Sequence, residues 1–194
     1  MPDSPATQTA EEFRIVKRQL LLNAFARGEN AIKNGNLILV CSAQPNEGKT
    51  FCAINLALSI ASERDLTVLL VDADFAKPEI LSTLGLEGGK GLVDVIVDPS
   101  LDLADCLIRT NIENLAVLPA GRQHHLTTEL LASERMGAMI EEIAQRYRDR
   151  VVIFDRRRRW RRPPPPCWRC MSARCCSWWR PRARASRSCA KAWP

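Results

Sequence analysis

The sequence predicts an α/β fold, a parallel sheet with helices on both faces. Three observations predict it. Four short apolar runs, at residues 37–42, 67–71, 115–118 and 151–154, read as buried strands. Stretches with helical spacing separate them. The residues able to do chemistry gather where the runs end, which is the side of such a sheet that takes ligands.

Taken in order, residues 1–10 are a polar leader containing Pro2 and Pro5, read as disordered. From Glu11 to about Ala31 the spacing of Phe13, Val16, Leu20 and Leu21 predicts an amphipathic helix. Gly35-Asn36 reads as a turn before the first strand, LILVCS. Gly48 to about Glu63 is a helix carrying Ile54, Leu56, Leu58 and Ile60, and TVLLV from Thr67 is the second strand. Residues 79–84, 92–97 and 103–108 read as short helices. LAVL from Leu115 is the third strand, ending at Pro119-Ala120-Gly121. Thr127 to about Tyr147 reads as helix, in two pieces around Ala132-Ser133, and VVIF from Val151 is the fourth strand. No internal repeat is visible.

The charge of +6 averages two unlike parts. Of the 28 basic residues, 13 lie in 156–194, where there is no Asp or Glu, so 15 face 22 acids in 1–155. The body is therefore acidic and only the tail basic. The tail holds all five Trp, five of the eight Cys and six of the twelve Pro, without helical or strand periodicity. Cys167 and Cys170 form one CxxC pair, but a zinc ribbon needs two spaced pairs, and Cys175-Cys176 are adjacent. Such a composition is what GC-rich DNA yields when read out of frame. Regrouping the codons of residues 174–180 by one base gives a continuous apolar run, the pattern of a buried strand. Residues 156–194 are therefore read as a disordered frameshift product, the fold as truncated at its C-terminus, and nucleic acid is not an expected partner.

No run of 18 apolar residues predicts a membrane span, and residues 1–5 lack the features of a signal peptide. Cys41, Cys52 and Cys106 sit in apolar surroundings and read as reduced thiols, so a cytoplasmic location is expected. His124 and His125, in a polar stretch, are given no role.

The segment Ala43 to Thr50 follows a strand and opens a helix, the setting a phosphate-binding loop needs. Its backbone N–H groups would wrap phosphate oxygens, with Gly48 where the backbone comes closest. Lys49 would reach the β- and γ-phosphates, and Thr50 would offer its hydroxyl to Mg²⁺. Gln44, Pro45, Asn46, Glu47, Gly48, Lys49, Thr50 and Phe51 form the candidate nucleotide-binding set. The general pattern begins with Gly where this chain has Ala43. Asp155, after four apolar residues, is the expected Mg²⁺-side carboxylate. Asp72 and Asp74 end the second strand two residues apart and so share a side of an extended chain. The fold class is thus P-loop NTPase-like.

Three ordered motifs, residues 44–50, residues 71–78 (VDADFAKP) and residues 151–155 (VVIFD), make the stretch from about 10 to 155 resemble the bacterial tyrosine kinases of exopolysaccharide and capsule export. The exosortase-associated autokinases are the most similar branch. The resemblance implies an ATP-binding kinase domain over 11–155 that uses Mg²⁺. It gives Lys49, Asp72, Asp74 and Asp155 catalytic roles and makes Thr50, Asp72 and Asp155 the metal set. Lys77 stands where a basic residue commonly approaches the phosphates. Glu11, Arg14 and Lys17 resemble the E-x-x-R-x-x-R subunit contact, with Lys17 replacing an Arg that has a bidentate fork. Implied partners are a membrane polysaccharide co-polymerase, through its cytoplasmic tail, and further copies of the chain, at the inner face of the membrane. Family members commonly end in a tyrosine-rich tail, whereas this chain has one tyrosine, Tyr147. A positioning ATPase of similar fold is the alternative, but it would carry an early Lys-Gly-Gly where Gln44-Pro45-Asn46 stand. A nucleotide-binding protein without catalysis is the third reading.

Overall fold

The computed structural model describes residues 8–42, 46–122 and 134–157. The leader's first seven residues, Gln44, Pro45, His124, His125, the start of the last helix and most of the basic tail lie outside the described residues.

The sheet has five strands: β1 (Leu37–Ser42), β2 (Thr67–Asp72), β3 (Ile108–Arg109), β4 (Leu115–Leu118) and β5 (Arg150–Arg157). Their spatial order is β1-β5-β2-β4-β3. Thus β5, contributed late in the chain, lies between the first two strands and pairs parallel with both. All four apolar runs form strands, two with the expected bounds and two longer by one to three residues at an end.

Side chains alternate between the two faces, as the period of two requires. Ile38, Val40, Val68, Leu70 and Ile153 pack under α2 (Lys49–Ala61), with α1 (Gln8–Ala24) and α3 (Ile80–Leu84) on the same side. Leu39, Leu69, Val71, Val152 and Phe154 pack under α4 (Leu92–Val97) and α5 (Glu134–Arg146). Helices therefore cover both faces, as expected. Asn36 joins the start of β1 to the approach to β5, its side-chain amide donating to the carbonyls of Tyr147 (3.0 Å) and Arg150 (3.2 Å).

Three expectations need correcting. First, the sheet is not wholly parallel: β3 pairs antiparallel with β4 at the edge. Second, residues 103–108 are helical only in part and not as an α-helix. They form a 3₁₀ turn, Leu103–Cys106, that runs into β3. The Asp102 carboxylate accepts from the Ala104 N–H at 2.9 Å and starts that turn. Thr110 then closes a tight return, its hydroxyl donating toward Leu115 O (2.9 Å) and accepting from Ile112 N–H (3.1 Å). A connection this short joins antiparallel strands and cannot make a parallel crossover. Third, the first helix ends at Ala24, well before Ala31. A separate 3₁₀ turn, Gly28–Asn30, follows, with Gly28 in the left-handed region at φ 69°.

Lys17 faces inward and is only 8% exposed. Its ammonium donates to Ser59 O (3.1 Å) and pairs with Glu63 (2.6 Å), so it anchors α1 onto α2. Arg14, by contrast, makes an exposed pair with Glu11 on the outer side. Lys17→Ala is expected to lower stability by about 1–2 kcal/mol in urea denaturation, through the lost charged hydrogen bonds and buried stem. Arg14→Ala is expected to change it by less than about 0.5 kcal/mol.

Candidate active site

Three strand ends converge. Asp72 is the register partner of Asp155, and Val40 of β1 is Asp155's partner on the other side. Asp155 follows Val151 and Ile153 at period two, and Asp72 follows Val68 and Leu70. Both carboxylates therefore leave the face that α2 covers. Asn46 lies in the left-handed region at φ 63°, and the chain passes through Gly48 at φ 81° into α2. Among the described residues, a Cβ on Gly48 would meet nothing within 4 Å. The first helical hydrogen bond runs from Cys52 N–H to Gly48 O. The N–H groups before it lie at the positive end of the helix.

Lys49 does not extend into solvent. Its side chain is 9% exposed, and its Nζ lies 2.9 Å from Asp74 Oδ2, 3.6 Å from Asp155 Oδ1 and 3.0 Å from Thr50 Oγ1. The Thr50 hydroxyl in turn hydrogen-bonds Asp155. Asp72, Asp74 and Asp155 are all buried, at 1%, 3% and 1% exposure. The cluster thus sets one ammonium among three carboxyl groups.

Asp72 is held differently from Asp74. One of its oxygens accepts from the Asp74 N–H (3.2 Å) and the other from the Ile80 N–H (3.1 Å), fixing the turn after β2 and the start of α3. Burial pushes its carboxyl up to about 6, the two N–H bonds oppose this, and the negative Asp155 and Asp74 add to it. Burial also raises Asp155, against the pull of Thr50 and Lys49. Since Asp72's folded value lies above its unfolded one, the folded state binds its proton more tightly. Its stabilising contribution is full below about 4 and is lost as pH rises through about 6. Without added nucleotide, this group is expected to cost up to about 3 kcal/mol between pH 4 and 7. Urea denaturation at the two pH values should show a steeper decline for the parent than for Asp72→Asn.

The structure brings together Lys49, Thr50, Asp74 and Asp155, with Asp72 behind them. It does not bring Lys77 to that cluster: its ammonium turns outward to Glu79 at 2.5 Å and its side chain is 59% exposed. Phe51 projects from the first turn of α2 and is 58% exposed. Glu47 is also exposed. Among the described residues no three acidic, His or Cys side chains converge closely enough to hold a metal ion by themselves. A cation here would need oxygen atoms from Thr50, water or a ligand as well.

One residue, Asp94, was missed in the sequence, and Cys52 was read there as a reduced thiol without a place beside the site. Asp94 Oδ2 accepts from Gly91 N–H (2.8 Å) and Arg122 N–H (3.1 Å), pinning the loop after β4 to the start of α4. The spacing of Gly91 to Asp94 is that of a helix cap and could have revealed it. Cys52 lies close enough to Asp155 to feel its charge, and burial and that charge both raise its thiol. It is a chemically quiet neighbour.

No family model matches the chain. It is 31% identical over 151 residues to the tyrosine-protein kinase YwqD of Bacillus subtilis, covering 78% of this chain and 60% of YwqD. It is 33% identical over 154 residues to the succinoglycan biosynthesis transport protein ExoP of Rhizobium meliloti, covering 78% of this chain but 18% of ExoP. The chain thus spans less than two thirds of either relative. Among solved structures, the kinase domain of the Escherichia coli tyrosine kinase ETK superposes with a TM-score of 0.67 at 26% identity, over 80% of this chain and 57% of that one.

Proposed function

Because the chain belongs to the bacterial tyrosine kinase family, we propose that residues 11–155 bind ATP with Mg²⁺ and transfer the γ-phosphoryl group to a tyrosine of another polypeptide. The observation that carries this is the meeting of Lys49, at the start of α2, with Thr50, Asp74 and Asp155 at the ends of β2 and β5. The N–H groups of the turn through Gly48 take phosphate oxygens, and Lys49 neutralises charge on the β- and γ-phosphates.

The donor set fits Mg²⁺, which prefers hard oxygen atoms and is commonly held by one or two carboxylates with phosphate and water. Thr50, Asp74 and Asp155 would hold it, with Asp72 behind. Bound there, the ion would supply positive charge to offset the negative charge that develops on the phosphates during transfer. Asp72, through two backbone N–H bonds, keeps the Asp74 turn in place. Asp74, the carboxylate that Asp72 holds in place, would also take the tyrosine proton.

Tyr147, the one tyrosine of this sequence, is not the acceptor we propose, since it is only 6% exposed and lies against the Arg150 and Arg146 guanidinium groups at 4.8 and 5.9 Å. ExoP's name supports a setting in exopolysaccharide synthesis and export. A membrane polysaccharide co-polymerase is the partner we propose, at the inner face of the membrane. No described helix is long and apolar enough to cross a membrane. Self-association would use the exposed Glu11 and Arg14, since Lys17 is committed within its own chain.

The test is incubation with Mg-ATP and a tyrosine-containing polypeptide, followed by anti-phosphotyrosine detection. Phosphotyrosine is expected on the added substrate and not on the chain. Phosphate release without phosphotyrosine would favour the positioning ATPase, and nucleotide binding with neither would leave a non-catalytic protein.

A further inference from the structure

We infer that Lys49 is a built-in counter-ion that competes with the divalent cation, so that nucleotide phosphate must draw its ammonium away before Asp74 and Asp155 can take a metal. This deepens the nucleotide-site reading and rests on it. Nζ lies within 2.9 to 3.6 Å of an oxygen on each of Asp74, Asp155 and Thr50. These are the oxygen-bearing groups a cation would use. A Mg²⁺ ion would sit about 2.1 Å from its ligands. It would therefore fall in the space the ammonium fills, and two cations that close repel strongly where little water screens them.

The exchange has a physical route. The lysine stem is flexible and its ammonium is a compact charge. Among the described residues, a Cβ added at Gly48 in the turn beside it would have no neighbour within 4 Å. Phosphates arriving there offer the ammonium new anionic partners. As Lys49 swings to them, Asp74 and Asp155 lose their neutralising charge and become a strong site for a divalent ion. Lone metal is thus disfavoured, and metal-free nucleotide carries the cost of leaving buried carboxylates unbalanced.

The experiment uses the full chain, with Mn²⁺ and ADP as probes in calorimetry and electron paramagnetic resonance. Without nucleotide, Lys49→Met is expected to raise Mn²⁺ affinity about tenfold. Lys77→Met, which deletes the same charge from the exposed pair at the same mouth, is expected to raise it less than threefold. No rise in Lys49→Met, or an equal rise in Lys77→Met, overturns the exchange. If Lys49→Met does not fold, Asp74→Asn decides. In the presence of a chelator it should bind ADP at least threefold more tightly than the parent, and more tightly than Glu79→Gln. An Asp74→Asn variant no better than either overturns the inference. A parent that binds ADP with Mn²⁺ but shows none of these differences defeats the exchange alone. A parent that does not bind ADP with Mn²⁺ defeats the nucleotide reading as well.

Discussion

Lys49→Ala is expected to weaken Mg-ATP binding by at least about 100-fold, roughly 3 kcal/mol or more. Two losses combine. The ammonium's charge-assisted hydrogen bonds to phosphate disappear. The ammonium that lies 2.9 and 3.6 Å from Asp74 and Asp155 also no longer stands between those carboxyl groups and the incoming phosphates. Removing Lys49 therefore deletes an attraction and leaves the neutralisation of two carboxyl groups to the metal ion alone. Isothermal titration with ATP and Mg²⁺ measures the effect, and circular dichroism separates it from unfolding. Binding as tight as the parent's would show that the turn through Gly48 is not the phosphate site.

Gly91→Ala is expected to destabilise the fold by about 3 kcal/mol or more. A Cβ on Gly91 would stand 2.2 Å from Pro119 O, 2.4 Å from Gly121 N and 2.8 Å from Gly121 Cα. All three are backbone atoms, so no side chain can swing aside. The close approach is held by hydrogen bonds from Leu92 N–H to Pro119 O (2.9 Å) and from Val93 N–H to Ala120 O (3.0 Å). Relief of the clash would stretch both bonds and lift α4, whose Leu92, Val93, Val95 and Ile96 are buried. Gly89→Ala is the comparison: a Cβ there meets nothing within 4 Å, and a change within about 0.5 kcal/mol is expected. Urea midpoints of the two variants that coincide would refute the argument.

The parts of the fold that announced themselves were those buried on both sides. LILV, TVLLV, LAVL and VVIF are continuous apolar runs because each strand has a helical layer above and below it. The two-residue β3 carried no such signal, since Ile108-Arg109 depends on the Thr110 turn and on β4 beside it. Lys17 was misjudged through its charge. It lies four residues after Phe13 and three and four before Leu20 and Leu21, on the same inward stripe of α1. Position outweighed residue type, because Ser59 O and Glu63 were there to receive the ammonium.

In the site, the motifs marked the strand ends that meet, but not the pairing among them. Three acids spaced along the sequence carry no sign of which one takes Lys49. That depends on the turn after β2, where Asp72 spends both oxygens on N–H groups and leaves Asp74 to the ammonium. The Asp94 staple was hidden for a similar reason, since one of its partners, Arg122, lies 28 residues away.

The place of β5 has a consequence for how the protein is made. β1 and β2 do not touch through backbone hydrogen bonds, because each is paired to β5. A nascent chain that has emerged only as far as residue 148 carries the glycine turn, the lysine and two of the three acids, yet lacks the strand that would hold them abreast. The ribosome must deliver residues 150–157 before the two earlier strands can lock. Nucleotide should therefore protect stalled chains from protease only once that stretch has cleared the exit tunnel.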